Sequence, residues 1–179
     1  LPGLVVVRPK RHGDARGFFS EVWSRAAFAE AGLDYDWVQD NHSRSAEAGT
    51  LRGLHYQAPP MAQAKLVRCT AGRAWDVAVD MRPGSGTYRR HFGIELSPEN
   101  WAQLLVPRGF LHGFVTLEPG TEVLYKVDAP YAPEHDGAVA WDDPDLAIPW
   151  PWEGEPVLST KDRAAPRLAA WQNPFGAAK

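Results

Sequence analysis

Glycine and proline occur along the whole of this chain, and they limit how long any helix or strand can be. The 179 residues include 16 of each. Both residue types end regular structure and favour turns. Many short strands joined by turns therefore fit the sequence better than a few long helices.

Short apolar runs between the turn signals predict β-strands. The strands are predicted at residues 4–8, 18–23, 66–70, 74–80, 90–96, 102–106, 113–117 and 121–127. Regularly spaced strands without intervening helices favour an antiparallel barrel or a double-sheet jelly roll. The length suits one domain over residues 1–179, with the jelly-roll core at about 14–150.

Two short helices are predicted at the periphery of this mainly β fold. Ser24 can cap a helix over residues 25–31, and Gly32 can end it. A second short helix follows Ser159 and is limited by Pro166.

Composition argues against several classes of function. The formal net charge of −3 gives no broad basic surface, so we expect no binding to nucleic acid. The single cysteine, Cys69, excludes an internal disulfide and a cysteine-based zinc site. We find no signal peptide and no run of about 18 apolar residues, so we expect a cytoplasmic protein without a membrane segment.

The segment Leu51–Gln57 places an arginine and a histidine three positions apart. In a regular strand, Arg52 and His55 would lie on opposite faces, but a bend at Gly53 could bring both into one cavity. Arginine suits a phosphate or carboxylate and histidine suits a proton, which indicates proton chemistry on an anionic substrate. Arg16 also sits beside a glycine, where it could bind an anion or form a surface ion pair.

Other polar side chains in strand-like segments add candidates. A histidine base needs a carboxylate to orient it, and Asp76, Asp80 and Asp162 are all plausible partners. Lys65 could stabilise a developing oxyanion, or it could be a solvent-facing lysine at a strand edge. Tyr125 could donate a proton, or it could be a packed aromatic residue.

Familiar cofactor motifs are missing from the sequence. His42, His55 and His112 could converge on a metal, but the closely spaced histidine pair of metal-binding jelly rolls is absent, so we expect no metal. Glycine-rich phosphate loops and the nucleophile motif of α/β-hydrolases are also absent.

Nine segments of the chain match one known family, and they occur in the family's order. They are residues 14–21 (DARGFFSE), 38–43 (VQDNHS), 51–57 (LRGLHYQ), 64–69 (AKLVRC), 76–80 (DVAVD), 106–117 (VPRGFLHGFVTL), 122–126 (EVLYK), 141–144 (WDDP) and 158–162 (LSTKD). On these segments the chain resembles the dTDP-4-dehydrorhamnose 3,5-epimerases over nearly its whole length.

The resemblance implies a cupin-like antiparallel β jelly roll that acts as a homodimer without a metal or other cofactor. It implies an isomerase of cytoplasmic deoxysugar synthesis, such as the supply of rhamnose for O-antigen. The substrate would be dTDP-4-dehydro-6-deoxy-D-glucose, and inversion at C3 and C5 would give dTDP-4-dehydro-L-rhamnose. The C4 ketone acidifies both hydrogens, and inversion needs a base on one face and an acid on the other.

The resemblance also implies roles for individual residues. His55 would be the base, oriented by Asp162, and Tyr125 would be the acid on the opposite face. Lys65 would stabilise the enolate oxygen. The implied substrate-binding positions are Arg16, Glu21, Gln39, Asp40, Asn41, Arg52, Lys65, Asp76, His112, Tyr131, Asp136 and Lys161.

Several of these positions concern the nucleotide. Arg52 and Arg16 match pyrophosphate-binding positions, and Tyr131 is a candidate to stack on thymine. Arg16 and Glu21 are expected to serve the neighbouring subunit's site. Asp136 stands where the family often has the longer glutamate, which leaves the choice between dTDP and UDP open.

Four other functions remain open at this stage. An epimerase that inverts one carbon only is the nearest alternative, although the presence of Tyr125 favours double inversion. A 3,4-ketoisomerase of the same fold, a sugar- or nucleotide-binding module and a metal-dependent oxygenase are the others. The binding module would need neither the pairing of His55 with a carboxylate nor an opposed tyrosine, and metal analysis of the purified protein would reveal the oxygenase.

Overall fold

Short strands account for most of the regular structure. The computed structural model describes residues 1–176. The strands are β1 (Val5–Val7), β2 (His12–Asp14), β3 (Gly17–Phe19), β4 (Gln39–Ser45), β5 (Leu51–Gln57), β6 (Lys65–Ala71), β7 (Ala74–Asp80), β8 (His91–Leu96), β9 (Gln103–Val106), β10 (Phe110–Thr116), β11 (Thr121–Val127) and β12 (Asp136–Ala138). The α-helices are α1 (Arg25–Glu30) and α2 (Thr160–Arg163), and 3-10 helices lie at Pro133–His135 and Leu168–Ala170.

Two five-stranded antiparallel sheets form the body of the protein. Sheet 1 has the order β1-β9-β6-β11-β4 and sheet 2 has the order β12-β5-β10-β7-β8, while β2 and β3 form a separate hairpin. From β4 to β7, and again from β8 to β12, each strand lies in the sheet opposite to that of the strand before it. This arrangement confirms the jelly roll with short peripheral helices.

The space between the sheets is apolar in one part and polar in another. Alternate residues of a strand share a face, so β6 turns Lys65, Val67 and Cys69 to the same side. Val67 and Cys69 are buried in a core cluster with Phe110 and Phe114 of β10. Lys65, at the start of β6, therefore also points between the sheets, beyond the apolar core.

The outer faces of the two sheets are covered by α1 and by the C-terminal segment. On sheet 1, Phe28 of α1 packs against Leu66 and Leu105. On sheet 2, Leu168 and Phe175 from the C-terminal segment pack in a cluster with Leu111. This covering holds α2 close to β5, which it contacts.

Both predicted helices are present. The side chain of Ser24 accepts a hydrogen bond from the backbone N–H of Ala27, and α1 ends one residue earlier than predicted, at Glu30. Ser159 caps α2 by accepting from the backbone N–H of Asp162.

The structure differs from the strand prediction at several points, and β2, β4, β5 and β12 were not among the predicted strands. The strand predicted at 18–23 is wrong beyond Phe19, because residues 20–24 form no regular structure. Strand β4 escaped prediction because it is polar throughout. Its inner face borders a polar cavity rather than the apolar core, so the alternation of apolar and polar residues that marks most half-buried strands is missing.

Candidate active site

Two adjoining cavities between the sheets share three side chains. Their volumes are about 210 Å³ and about 180 Å³, and His55, Lys65 and Tyr125 line both. We name them the Arg52 cavity and the Tyr131 cavity, after residues that line only one of the two. His55 belongs to sheet 2 whereas Lys65 and Tyr125 belong to sheet 1, so His55 and Tyr125 approach the shared space from opposite sheets.

A bulge in β5 turns Arg52 and His55 into the same cavity. His112 of β10 pairs with His55 and Phe114 pairs with Arg52, so β5 has one more residue than β10 over this interval. The extra residue reverses the alternation of side chains. Gly53 has φ +140°, and a Cβ atom there would lie 2.5 Å from the Cα of Gly113. The bend predicted at Gly53 is confirmed.

Asp162 of α2 holds the imidazole of His55. Its Oδ1 atom contacts His55 Nε2, although the residues are 107 positions apart. Its Oδ2 atom accepts a 2.8 Å hydrogen bond from the hydroxyl of Ser159. Burial raises the pKa of Asp162, but the hydrogen bonds from His55 and Ser159 outweigh burial and leave that pKa below its usual value. An ionised Asp162 orients the ring and stabilises its protonated form, as a histidine base requires.

The other two candidate carboxylates have different partners. Both oxygens of the buried Asp76 lie 3.0 Å from Nε2 of His112, which lines the Arg52 cavity. Asp80 accepts hydrogen bonds from Arg82 at 2.9 Å and from Ser85 at 2.6 Å, and it lines neither cavity. Asp76 thus meets the Arg52 cavity only through His112, whereas Asp80 stabilises the turn that follows β7.

Lys65 and Tyr125 lie on neighbouring strands of sheet 1. Burial lowers the pKa of Lys65 to about 8, although Asp76 and Asp136 oppose the change. Burial also raises the pKa of Tyr125, so its phenol keeps its proton at neutral pH. The pair therefore offers a cation that can stabilise an oxyanion and a protonated acid.

A hydrogen-bonded network lines the Tyr131 cavity. The Tyr131 hydroxyl donates to Asp136 Oδ2 at 3.3 Å, and Lys161 Nζ contacts the same oxygen. Gln39 accepts from the Tyr131 backbone N–H at 3.0 Å and donates to Asn41 Oδ1 at 2.8 Å. The fold thus brings together five of the residues that the sequence predicts to bind substrate.

Comparison with known proteins identifies the family. The family model described as dTDP-4-dehydrorhamnose 3,5-epimerase matches residues 1–170. The chain belongs to this epimerase family. The resemblance drawn from the nine sequence segments is therefore confirmed.

Relatives within the epimerase family are close in sequence and in structure. The dTDP-4-dehydrorhamnose 3,5-epimerase of Sinorhizobium fredii is 53% identical over 163 residues, which is 91% of this chain and 84% of the relative. The Legionella pneumophila 3,5-epimerase, solved with dTDP-4-keto-L-rhamnose, has a TM-score of 0.92 at 42% identity and covers 98% of this chain and 93% of its own. A 3'-monoepimerase from Streptomyces bikiniensis, solved with dTDP-quinovose, has a TM-score of 0.87 at 36% identity and covers 93% of this chain and 84% of its own.

Four residues of the binding set implied by the epimerase family line neither cavity, namely Arg16, Glu21, Asp40 and Asp76, which reaches the Arg52 cavity only through His112. Arg16 lies in the turn between β2 and β3 with its side chain 89% exposed, and it pairs with Asp14. Glu21 is exposed. Asp40 lies on the outer face of β4, where its carboxylate pairs with Lys126 at 2.8 Å.

Six residues that line the two cavities were not predicted as site residues: Ser43, Tyr56, Gln57, Gln63, Phe114 and Ser159. Ser159 lines the Arg52 cavity, although the sequence marked it only as a helix cap. Gln57 lines the Tyr131 cavity and is bound to the backbone on both sides of Tyr131, at Pro130 O and Ala132 N. Its position two residues after His55 in one strand was the signal that could have found it.

The three histidines considered as metal ligands have separate carboxylate partners. His42, His55 and His112 each contact a different carboxylate. Within residues 1–176, no group of three or more His, Cys, Asp or Glu side chains is arranged to hold a metal ion. In the same part of the chain, every helix is too short or too polar to cross a membrane.

Proposed function

We propose that this chain is a dTDP-4-dehydrorhamnose 3,5-epimerase that inverts C3 and C5 of dTDP-4-dehydro-6-deoxy-D-glucose. One observation carries the proposal: His55, held by Asp162, faces Tyr125 across a space that Lys65 also lines. Inversion requires a base and an acid on opposite faces of the carbon, since return of the proton to the same face changes nothing. Membership of the family supports the choice of substrate.

The mechanism starts with removal of a proton next to the C4 ketone. His55 takes the proton from C3 or C5 and becomes an imidazolium, while the C–H electron pair forms an enolate with the C4 carbonyl. The ammonium of Lys65 stabilises the negative oxygen as it forms. Tyr125 then gives its phenolic proton to the opposite face of that carbon, and the ketone re-forms. Proton exchange with solvent restores both residues before the second inversion.

Substrate contacts flank this reacting centre. His112, held by Asp76, lines the Arg52 cavity, and within residues 1–176 its Nδ1 atom makes no hydrogen bond, so it can meet a polar group of the sugar. Among the described residues, the Arg52 guanidinium makes only long contacts, at 3.3 and 3.4 Å to Ser45 and 3.4 Å to Arg44 O. A loosely held guanidinium can instead form short paired hydrogen bonds to a pyrophosphate.

The nucleotide end is assigned to the Tyr131 cavity. The ring of Tyr131 is 58% exposed, which suits stacking on a thymine base. Asp136 and Lys161 fix the phenol end of the ring and offer polar contacts to the ribose and base.

The same proposal includes a homodimer in which the β2–β3 hairpin completes the neighbour's site. Phe18 and Phe19 on this hairpin are 54% and 72% exposed, which is unusual for large apolar side chains in an isolated protein. The turn between the strands presents Arg16 to the outside. In the partner's site Arg16 would add a second guanidinium for the pyrophosphate, and Glu21 would bind the nucleotide. We place this activity in the cytoplasm.

The second candidate is an epimerase acting at one carbon only. The relative from Streptomyces bikiniensis is described as a 3'-monoepimerase, so the same fold accommodates single inversion. The larger share of 3,5-epimerases among the similar proteins favours double inversion here.

One experiment separates these functions. dTDP-4-dehydro-6-deoxyglucose is incubated with the protein in deuterium oxide, and proton NMR measures deuterium incorporation at C3 and C5. A reductase in the same reaction traps the product. Deuterium at both C3 and C5 with trapped dTDP-L-rhamnose is the expected result. Deuterium at one carbon would instead establish the mono-epimerase, and none at either carbon would exclude epimerase activity on this substrate.

A further inference from the structure

Ser159 is bound to Asp162 in two ways at once. Its hydroxyl oxygen accepts the Asp162 backbone N–H at 3.1 Å, and its O–H donates to Asp162 Oδ2 at 2.8 Å. The Asp162 side chain is 3% exposed, so water has little access to replace this donor. Both carboxylate oxygens are therefore occupied, one by Ser159 and the other by His55.

Capping the helix does not require the second of these bonds. Ser24 caps α1 by accepting a backbone N–H at 3.4 Å, and among the described residues it donates to no carboxylate. The extra bond from Ser159 fixes rotation of the Asp162 carboxylate about its Cβ–Cγ bond. Oδ1 is then aimed at Nε2 of His55 before any substrate arrives. Hydrogen bonds to an ionised group are about twice as strong as neutral ones, so this restraint is substantial.

We propose that Ser159 is a positioning residue that fixes which oxygen of Asp162 meets His55 and so sets the pH range in which His55 acts as a base. The inference deepens the proposed function and rests on it, because it assumes that His55 is the base. Ser159 touches neither the reacting carbon nor the proton in transfer.

The direction of the effect follows from the charges around His55. The charged and titratable side chains that line the Arg52 cavity with it are Asp162, Lys65, His112, Tyr125 and Arg52, and the Tyr131 cavity adds Tyr56, Tyr131, Asp136 and Lys161. Loss of the Ser159 hydroxyl leaves all of these charges in place but removes a donor from the Asp162 carboxylate. The carboxylate then interacts more strongly with the imidazolium form of the ring, so exchange by the variant should require a higher pH.

The test uses substitutions that remove the hydrogen bond from the Ser159 hydroxyl to Asp162 without unfolding the start of α2. Glycine is tolerated at a helix cap at little cost, so Ser159→Gly removes the hydroxyl while sparing α2. Ser159→Thr keeps a hydroxyl, and Ser24→Gly is the matched control at the cap of α1. Deuterium incorporation into the substrate at C3 and C5 is measured against pH for each variant, together with KM and the thermal midpoint.

Ser159→Gly should lower the maximal exchange rate about tenfold and move the acidic limb of the profile upward by roughly one pH unit. KM should change little, Ser159→Thr should restore the profile, and Ser24→Gly should leave it unchanged. An unshifted acidic limb in Ser159→Gly, or a shift of equal size in Ser24→Gly, would overturn the proposal. The wild-type protein in the same assay distinguishes failure of the Ser159 proposal from failure of the proposed epimerase function. A wild type without exchange would reject the proposed function itself.

Discussion

The Lys65 ammonium lies 5.9 Å from the centre of the Tyr125 ring, on the neighbouring strand of sheet 1. The two side chains therefore share the same part of the cavity, with the cation beside the face of an aromatic acid. Because burial lowers the Lys65 pKa to about 8, the cation proposed to stabilise the enolate is lost at mildly alkaline pH.

The pH profile should report this lysine. We expect kcat/KM to fall as pH rises above about 8, since the neutral amine no longer stabilises the enolate oxygen. Lys65→Arg keeps its charge throughout this range, so any remaining activity should lack that basic limb. Profiles of kcat/KM between about pH 6 and about pH 10 test this, with Lys10→Arg on the surface as control. If the basic limb persists unchanged in Lys65→Arg, the loss of activity at alkaline pH must arise from a group other than Lys65.

Removing the buried charge should stabilise the fold. In the folded protein the Lys65 pKa is lowered from 10.5 to about 8, so below pH 8 the protein carries the full cost of burying an ammonium. Lys65→Met should therefore unfold at a higher temperature than wild type below about pH 8, by a few degrees. The advantage should shrink as pH rises from about 8 toward 10.5, where wild type is already neutral when folded. Thermal midpoints of Lys65→Met and wild type, measured from below pH 8 to about pH 10.5, test this prediction. A stability advantage of Lys65→Met that grows with pH would contradict a lowered Lys65 pKa.

His55→Ala should abolish deuterium incorporation at both C3 and C5, because one base is proposed to serve both carbons. We expect a loss of at least about a thousandfold, as a positioned base contributes about 10²–10⁴-fold. His42→Ala is the control, since His42 pairs with Glu122 outside both cavities. NMR exchange rates provide the measurement, with circular dichroism to show that both variants are folded. Full exchange in His55→Ala would remove this residue as the base.

Tyr125→Phe should separate exchange from inversion. His55 can still remove a proton and return deuterium to the same face, so label should enter while trapped dTDP-L-rhamnose falls about a hundredfold. Tyr88→Phe is the control, because the Tyr88 hydroxyl contacts Asn173 away from the cavities. Unchanged product formation in Tyr125→Phe would point to a different acid.

Arg52→Ala should weaken substrate binding more than it slows catalysis. Hydrogen bonds to charged groups contribute about 1.5–3 kcal/mol, so we expect KM to rise between about 10-fold and 100-fold. Arg73→Ala is the control, since its guanidinium is already paired with Glu118 at 2.6 Å. Kinetics and dTDP titration measure the effect, and normal dTDP affinity in Arg52→Ala would place the pyrophosphate elsewhere.

The sequence could predict the parts of the fold that local chemistry determines. Glycine and proline spacing indicated short antiparallel strands, and Ser24 and Ser159 located both helices. Strand β4 was missed because its inner face, with Gln39 and Asn41, borders the Tyr131 cavity instead of the apolar core.

The candidate site was only partly predictable from the residues. Gly53 suggested how Arg52 and His55 could share a cavity, and the bulge in β5 confirms it. The choice of Asp162 over Asp80 came from the family resemblance, because no local pattern links residues 107 positions apart. That choice depends on how the C-terminal segment folds back over sheet 2.

The position of α2 after β12 has a consequence for how the protein is made. During synthesis, the strands that carry His55, Lys65 and Tyr125 leave the ribosome before Asp162 does. A nascent chain with both sheets complete would already enclose its base, but the base would still lack its carboxylate. The proposed base would therefore gain its carboxylate only late in translation, when the segment with Ser159 and Asp162 docks against β5.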